Sequence, residues 1–294
     1  MSITPVDIPV IPALKRNAIL NLLSRSARID GRSPGDVRSI EIALGVIPNA
    51  NGSAHVRLGL TQVIAGVKAE IGTPFQDTPN MGNLIVSAEF VPLASPTFEP
   101  GPPDERAIEL ARVIDRSLRD VRAIDLEKLV IIPGKKVWNI FVDIYVIDHD
   151  GNLIDASSIA TLASLMTAEI PKVQVSQEKG DITVDRSNLE PLPIRKKVLT
   201  TTVAKIGDYL VADPSLEEET VADALITIAF SDDGVITGIQ KSGMGAFKYE
   251  HLRRAMELAK QAYKIYLSKT LEYVESYLKS RTARAEASQA SPPS

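Results

Sequence analysis

Residues 137–168 read VWNIFVDIYVIDHDGNLIDASSIATLASLMTA. From Val137 to Ile147 the chain alternates. Trp138, Ile140, Val142, Ile144 and Val146 share one face, while Asn139, Phe141, Asp143, Tyr145 and Ile147 share the other, which is the period of a strand. Asp150-Gly151 turns the chain. Asp155 to Ala168 is then a helix of small residues, with Ala156, Ala160 and Ala163 able to approach a sheet closely. A long strand laid against such a helix predicts an α+β architecture.

Upstream of that unit, the apolar spacing of Ala13 to Ser26 predicts a helix using Leu14, Ala18 and Leu22, with Ile19 and Leu23 beside them. Arg28-Ile-Asp-Gly-Arg32 reads as a polar turn and Asn49 to Gly52 as a hairpin connection. Strands are expected over Ser53–Leu60, Gln62–Ile71, Asn83–Leu93 and Lys128–Ile132. Downstream, Pro171 to Pro193 is polar and reads as a linker. The theme then repeats. Strands are expected over Val198–Ala204, Tyr209–Ala212, Ala224–Phe230 and Val235–Gln240, and a helix from about Tyr249 to Tyr277 on Leu252, Met256, Ala259, Tyr263 and Tyr266. The tyrosines of this helix could stack bases, but at helical spacing they read as core. The Ala/Ser/Pro-rich tail after Arg281 reads as disordered. The expected organisation is a helical extension over 1–27, a first half over 28–170, a linker over 171–193, a second half over 194–281, and a tail over 282–294.

Composition narrows the chemistry. The 294 residues carry a formal net charge of −4, so any polyanion site must be a local patch. There is no cysteine, which removes disulfides and thiolate chemistry. His55, His149 and His251 are far apart and fit no ligand spacing, so no metal site and no cofactor is expected. No apolar run approaches the roughly 20 residues that span a bilayer. A soluble, cytoplasmic protein is expected.

The local patch lies in 102–124, PPDERAIELARVIDRSLRDVRAI. Arg112, Arg116 and Arg119 follow one another at i, i+4 and i+7 and share a helical face, opposite Ala107, Leu110, Ile114, Leu118 and Val121. Asp104 is placed to cap the first turn. A guanidinium row suits phosphates, although Glu109, Asp115 and Asp120 are interleaved and local ion pairs could absorb it. Arg122 sits at the edge of the face and reads as a structural ion pair.

Several stretches together resemble the ribonuclease PH family: Arg28-Ile-Asp-Gly-Arg32 with Asp36 and Arg38; Asn51-Gly-Ser-Ala54 leading to Val56, Gly59 and Thr61; Glu99-Pro-Gly-Pro-Pro103; and Arg116-Ser-Leu-Arg119. The resemblance covers about Ala13 to Tyr266 and is nearest to the non-catalytic ring subunits of archaeal exosomes. It implies a ribonuclease PH-like α+β fold of two related halves, each a mixed sheet packed by helices. It implies three heterodimers with a catalytic sister subunit in a hexameric ring, RNA-binding cap subunits above it, and single-stranded RNA degraded from its 3′ end by phosphorolysis. It further implies RNA contact by Arg112, Arg116 and, more weakly, Arg119.

Active members carry a short Gly/Ser-Thr-Arg loop after the long central strand. Here Asp148-His-Asp-Gly-Asn-Leu-Ile-Asp155 has no Arg, Lys, Ser or Thr and carries three aspartates. Poorly solvated, those would repel phosphate by roughly several kcal/mol. The family's paired second-half aspartates correspond to Asp213 and Glu219, and Glu217 to Glu219 read more simply as a solvated acidic turn. The expected function is therefore a non-catalytic, RNA-binding ring subunit with no catalytic residues. The alternative is an autonomous phosphorolytic 3′-5′ exoribonuclease. No nucleotide-cradling glycine loop or nucleophile triad points to a metabolic enzyme, and Gly243-Met-Gly245 reads as a turn rather than a phosphate cradle.

Overall fold

A computed structural model describes residues 13–175 and 182–290. The first half is a sheet of β1 (Ile40–Leu44), β2 (Gly52–Leu58), β3 (Thr61–Gly72), β4 (Asn83–Phe90), β5 (Val130–Ile132) and β6 (Lys136–Asp148). Its order is β1-β2-β3-β6-β4, with β5 paired to the start of β6. β4 runs parallel to β6 and the other pairs are antiparallel. The alternation expected for β6 holds: Trp138, Ile140, Val142, Ile144 and Val146 are all buried.

Between β4 and β5 lies helix α2 (Glu105–Arg119), packed on β4. After β6 comes α3 (Leu153–Met166), every residue of which from Asp155 to Leu165 is buried. It lies against β2 and β3 on one side and the second half on the other. Its alanines, serines and Thr161 keep it thin enough for both contacts, and Ile159, Leu162 and Leu165 are each worth roughly 1.5–3 kcal/mol of burial.

The second half holds β9 (Val198–Ile206), β10 (Tyr209–Ala212), the short α4 (Leu216–Val221), β11 (Ala224–Ser231) and β12 (Ile236–Ser242), in sheet order β10-β9-β11-β12. All its pairings are antiparallel, not mixed as expected, because β9–β10 and β11–β12 are tight hairpins and the short α4 returns the chain antiparallel to β9. One apolar core runs through both halves.

Three expectations need correction. The segment read as a linker carries a two-stranded ribbon, β7 (Glu169–Val175) with β8 (Ile182–Pro191), whose polar, largely exposed strands give no core-facing alternation. Helix α5 (Tyr249–Ala290) continues past Arg281, because RTARAEASQA is rich in helix-forming Ala, Arg and Glu; residues 291–294 of the expected tail lie outside the described residues. The buried stripe of α5 is Ala255, Leu258, Ala259, Ala262, Tyr263, Tyr266 and Val274, whereas Leu252 and Met256 are exposed. Tyr263 and Tyr266 are core, as their spacing implied.

Of the N-terminal extension, the described part is α1 (Ala13–Leu23). It turns Ile19 and Leu23 inward and leaves Leu14 exposed. It packs on Ala204, Ile206, Val211 and Val221 of the second half, at the far end of the sequence. Among the described residues no helix is long and apolar enough to cross a membrane.

Candidate nucleic-acid interface

Helix α2 begins where expected: the Asp104 carboxylate accepts the Ala107 N–H at 2.8 Å. It ends sooner than the run to Ile124 implied. Arg122 adopts φ +52°, and the N–H groups of Arg122 and Ala123 donate back to the carbonyls of Arg119 and Leu118, closing the helix. Ala107, Leu110, Ala111, Ile114 and Leu118 seat it on the first half.

The three candidate arginines separate. Arg119 donates through Nη2 to the Leu84 carbonyl of β4 at 2.6 Å and pairs with Asp115 at 2.7 Å. It ties α2 to the sheet, and the Asp115 hydrogen bond holds its proton more firmly still. Arg112 and Arg116 are exposed and have no hydrogen-bond or ion-pair partner among the described residues. Of the nearby acids, Asp115 pairs with Arg119 and Glu109 accepts from Gln240 Nε2 at 3.0 Å, while Glu105 and Asp120 line the same groove without pairing with either arginine. Arg112 and Arg116 therefore present two guanidinium groups without an ion pair among the described residues, one helical turn apart. They border a groove of about 560 Å³ between α2 and the second sheet, with Thr227, Thr237 and Ile239 on its far wall. Arg122 makes an exposed pair with Glu127 at 3.2 Å, as its position implied.

The loop after β6 holds a different arrangement. Gly151 has φ +86°, and a Cβ there would lie 2.4 Å from Leu216 N, so this turn is pressed onto the second half. Asn152 follows in the left-handed region and leads into α3. Its N–H, which faces outward at the helix start where an anion is favoured, donates to Glu219 Oε1 at 2.8 Å. Asn152 Nδ2 donates to both Asp155 and Asp213. Asp155, fully buried in the first turn, also accepts from Thr202 N at 2.7 Å and from the Thr200 and Thr202 hydroxyls, both at 3.0 Å. The chain's own carboxylates thus take the Asn152 N–H and its side-chain amide.

Asp213 (φ +47°) is buried. Oδ1 accepts from Arg38 Nη2 and Asn152 Nδ2, both at 2.7 Å. Oδ2 accepts from Arg38 N at 2.7 Å, Arg38 Nε at 3.0 Å and Arg32 Nη1 at 3.1 Å. Burial alone would raise its proton affinity, but the hydrogen bonds and charge of Arg38, with Asn152 and Arg32, outweigh it and hold the carboxyl below its ordinary range. Little lone-pair capacity remains for a proton or an ion.

Two models of the 3′ exoribonuclease family match this chain, domain 1 over residues 36–171 and domain 2 over residues 197–262. The chain belongs to the ribonuclease PH family. It is 52% identical over 273 residues to exosome complex component Rrp42 of Aeropyrum pernix, covering 92% of this chain and 98% of that one. It is 54% identical over 254 residues to the component of the same name from Pyrococcus abyssi, covering 86% and 92%. A solved structure described as the Archaeoglobus fulgidus exosome with RNA bound to the active site superposes with a TM-score of 0.80 at 43% identity, covering 87% of this chain and 98% of that one.

The acidic stretch 217–219 is not the solvated turn expected. Only Glu217 faces outward, paired with Lys15. Glu218 is buried against Arg28 and closes a capping box with Ser215. Glu219 reaches Asn152. The signals for this were weak: Arg28 reads as part of a polar turn and Arg38 has no local pattern, because their partners lie more than 170 positions away. A Gly-Asn pair before a helix was the one local hint of a left-handed turn.

Burial pushes Glu219 from its ordinary 4.5 up to about 7, against the Asn152 N–H and Arg38. The folded chain therefore keeps a proton that the unfolded chain releases between about 4.5 and 7, so stability falls as pH rises through that window. Glu219→Gln is expected to raise the thermal midpoint by several degrees at pH 8 and to change it little at pH 5. The gain is at most a few kcal/mol, since a tenfold change in proton affinity is about 1.4 kcal/mol. Calorimetry at both pH values checks it, and an unchanged or lower midpoint at pH 8 refutes it.

Proposed function

We propose that this chain is the non-catalytic subunit of a phosphorolytic 3′-to-5′ exoribonuclease ring of the exosome type. In this reading it alternates with a catalytic ribonuclease PH-like sister subunit as three heterodimers in a hexamer, beneath RNA-binding cap subunits in the cytoplasm. It buttresses the sister's active site and supplies Arg112 and Arg116 to the phosphates of single-stranded RNA, positioning the strand without reading its bases.

One observation carries the reading. The helix start that could accept phosphate is filled by Glu219, with Asp155 and Asp213 beside it, while the two arginines a strand could use are left unpaired. Attack by phosphate on a phosphodiester brings two anions together and needs cationic or backbone donors free to receive them. Here the Asn152 N–H is taken by Glu219, and the loop 148–155 brings no arginine or lysine. The relatives named as exosome components, and the RNA-bound exosome assembly superposed above, support the same reading.

The test is direct. In phosphate buffer the purified chain should leave a poly(A) strand intact, and mixing it with the sister subunit should give a complex far more active than either part. Size-exclusion with light scattering should report a six-membered ring for the mixture. Phosphate-dependent shortening by this chain alone, free of partner, would establish the autonomous enzyme instead.

A further inference from the structure

Beside the arginine groove lies a second, smaller cavity of about 180 Å³. Glu109 and Thr227 line both, so the two are adjacent. Phe90, Phe98 and His149 supply an aromatic side to it: Phe98 stacks on Phe90 at 4.8 Å and on His149 at 5.4 Å between ring centres. Leu153 and Leu225 add apolar surface. Arg106, whose guanidinium lies 5.3 Å from the Phe98 ring centre, also lines it, as do Glu109, Thr202 and Thr227. Glu219 uses Oε1 on Asn152 and has no partner for Oε2 among the described residues. Ser242 also faces the space, and Asn152, whose buried Oδ1 has no partner, lines it too. His149 accepts the Gly151 N–H through Nδ1 at 3.3 Å, which leaves its proton on Nε2 as a donor.

Two carboxyl groups, Glu109 and Glu219, line the cavity with the one arginine, so this lining does not favour an inorganic anion. It suits a flat heterocycle: an aromatic wall to stack on, a carboxylate oxygen to accept ring and exocyclic N–H groups, and a neutral imidazole to donate to a carbonyl. Unstacked RNA bases are recognised in this way, on aromatic or histidine faces and by their hydrogen-bonding edges. Among the bases, guanine offers two adjacent N–H donors beside a carbonyl oxygen. We propose that this cavity is a base-binding subsite for guanine, entered by a base splayed from the strand whose phosphates lie on Arg112 and Arg116. The location on the strand rests on the function proposed above, whereas the cavity's affinity for the base does not.

Guanosine, which carries no phosphate, separates the two. The full-length chain should bind guanosine in equilibrium dialysis, and uridine at tenfold higher concentration should not displace it. Glu219→Gln should weaken guanosine at least tenfold, and Ser242→Trp, which fills the space from its rim, should abolish binding. Equal affinity for guanosine and uridine, no binding of guanosine at its solubility limit, or binding indifferent to both substitutions would overturn the proposal. Competition by inorganic phosphate without competition by guanine would overturn it in favour of a retained anion site. If guanosine binds as expected while RNA binding by the ring ignores Arg112 and Arg116, the subsite stands and the strand path assigned above falls.

Discussion

With Arg112 and Arg116 both changed to Glu, the assembled ring should bind single-stranded RNA about a hundredfold more weakly. Among the described residues each arginine is free of partners, so its guanidinium is available for charge-assisted hydrogen bonds worth about 1.5 kcal/mol apiece at the low end. Two such losses give about two orders of magnitude, and the introduced carboxylates add repulsion. The salt dependence should flatten as well. For single strands the logarithmic slope is about −0.7 per phosphate neutralised, so two lost contacts reduce it by about 1.4. Fluorescence anisotropy across a salt series measures both, with size exclusion confirming that the ring still forms. Unchanged affinity and slope would show that this helix face is only a charged surface. Arg119 should behave differently. Because it is tied to the Leu84 carbonyl and Asp115, its loss should lower stability before it touches RNA.

Asp213→Ala should cost about 3–5 kcal/mol, the penalty for leaving a buried charge without its counter-ion. Arg38 loses two side-chain bonds and one backbone N–H bond to that carboxylate and stays buried, Arg32 loses an ion pair, and Asn152 loses an acceptor. For a chain of this size the thermal midpoint should fall by on the order of 10 °C. The acid limb should change too. The folded carboxyl of Asp213 lies below its ordinary 3.8, so its contribution is fully present above that value and is lost as pH falls through the depressed one. The variant should lack that part of the acid transition. A midpoint within a degree of wild type would mean that Arg38 finds water or another acceptor.

The strands of the first sheet and helices α2 and α3 were legible because their burial is one-sided or total, and side-chain periodicity records that directly. β6 alternates in sequence as it does in space, and α2 shows its apolar stripe. β1 was missed because five residues at a sheet edge carry too little alternation, and β7–β8 because polar residues line most of that ribbon. The site was half legible. The spacing of Arg112 and Arg116 put them on one exposed face, and there they lie. What separates Arg119 from them is a carbonyl 35 residues away, and what closes the loop after β6 is a glutamate 67 residues beyond Asn152. Neither partner is encoded by local pattern. Arg28, which reads as part of a polar turn, and Arg38 are buried because the second half brings carboxylates to them.

The seating of α1 has a consequence for biosynthesis. Ile19 and Leu23 leave the ribosome before the residues of their berth, which run as late as Val221. Until those are made, the nascent chain carries these two side chains uncovered, the kind of surface that draws chaperones. Docking of this helix therefore waits for the sheet of the second half to be made.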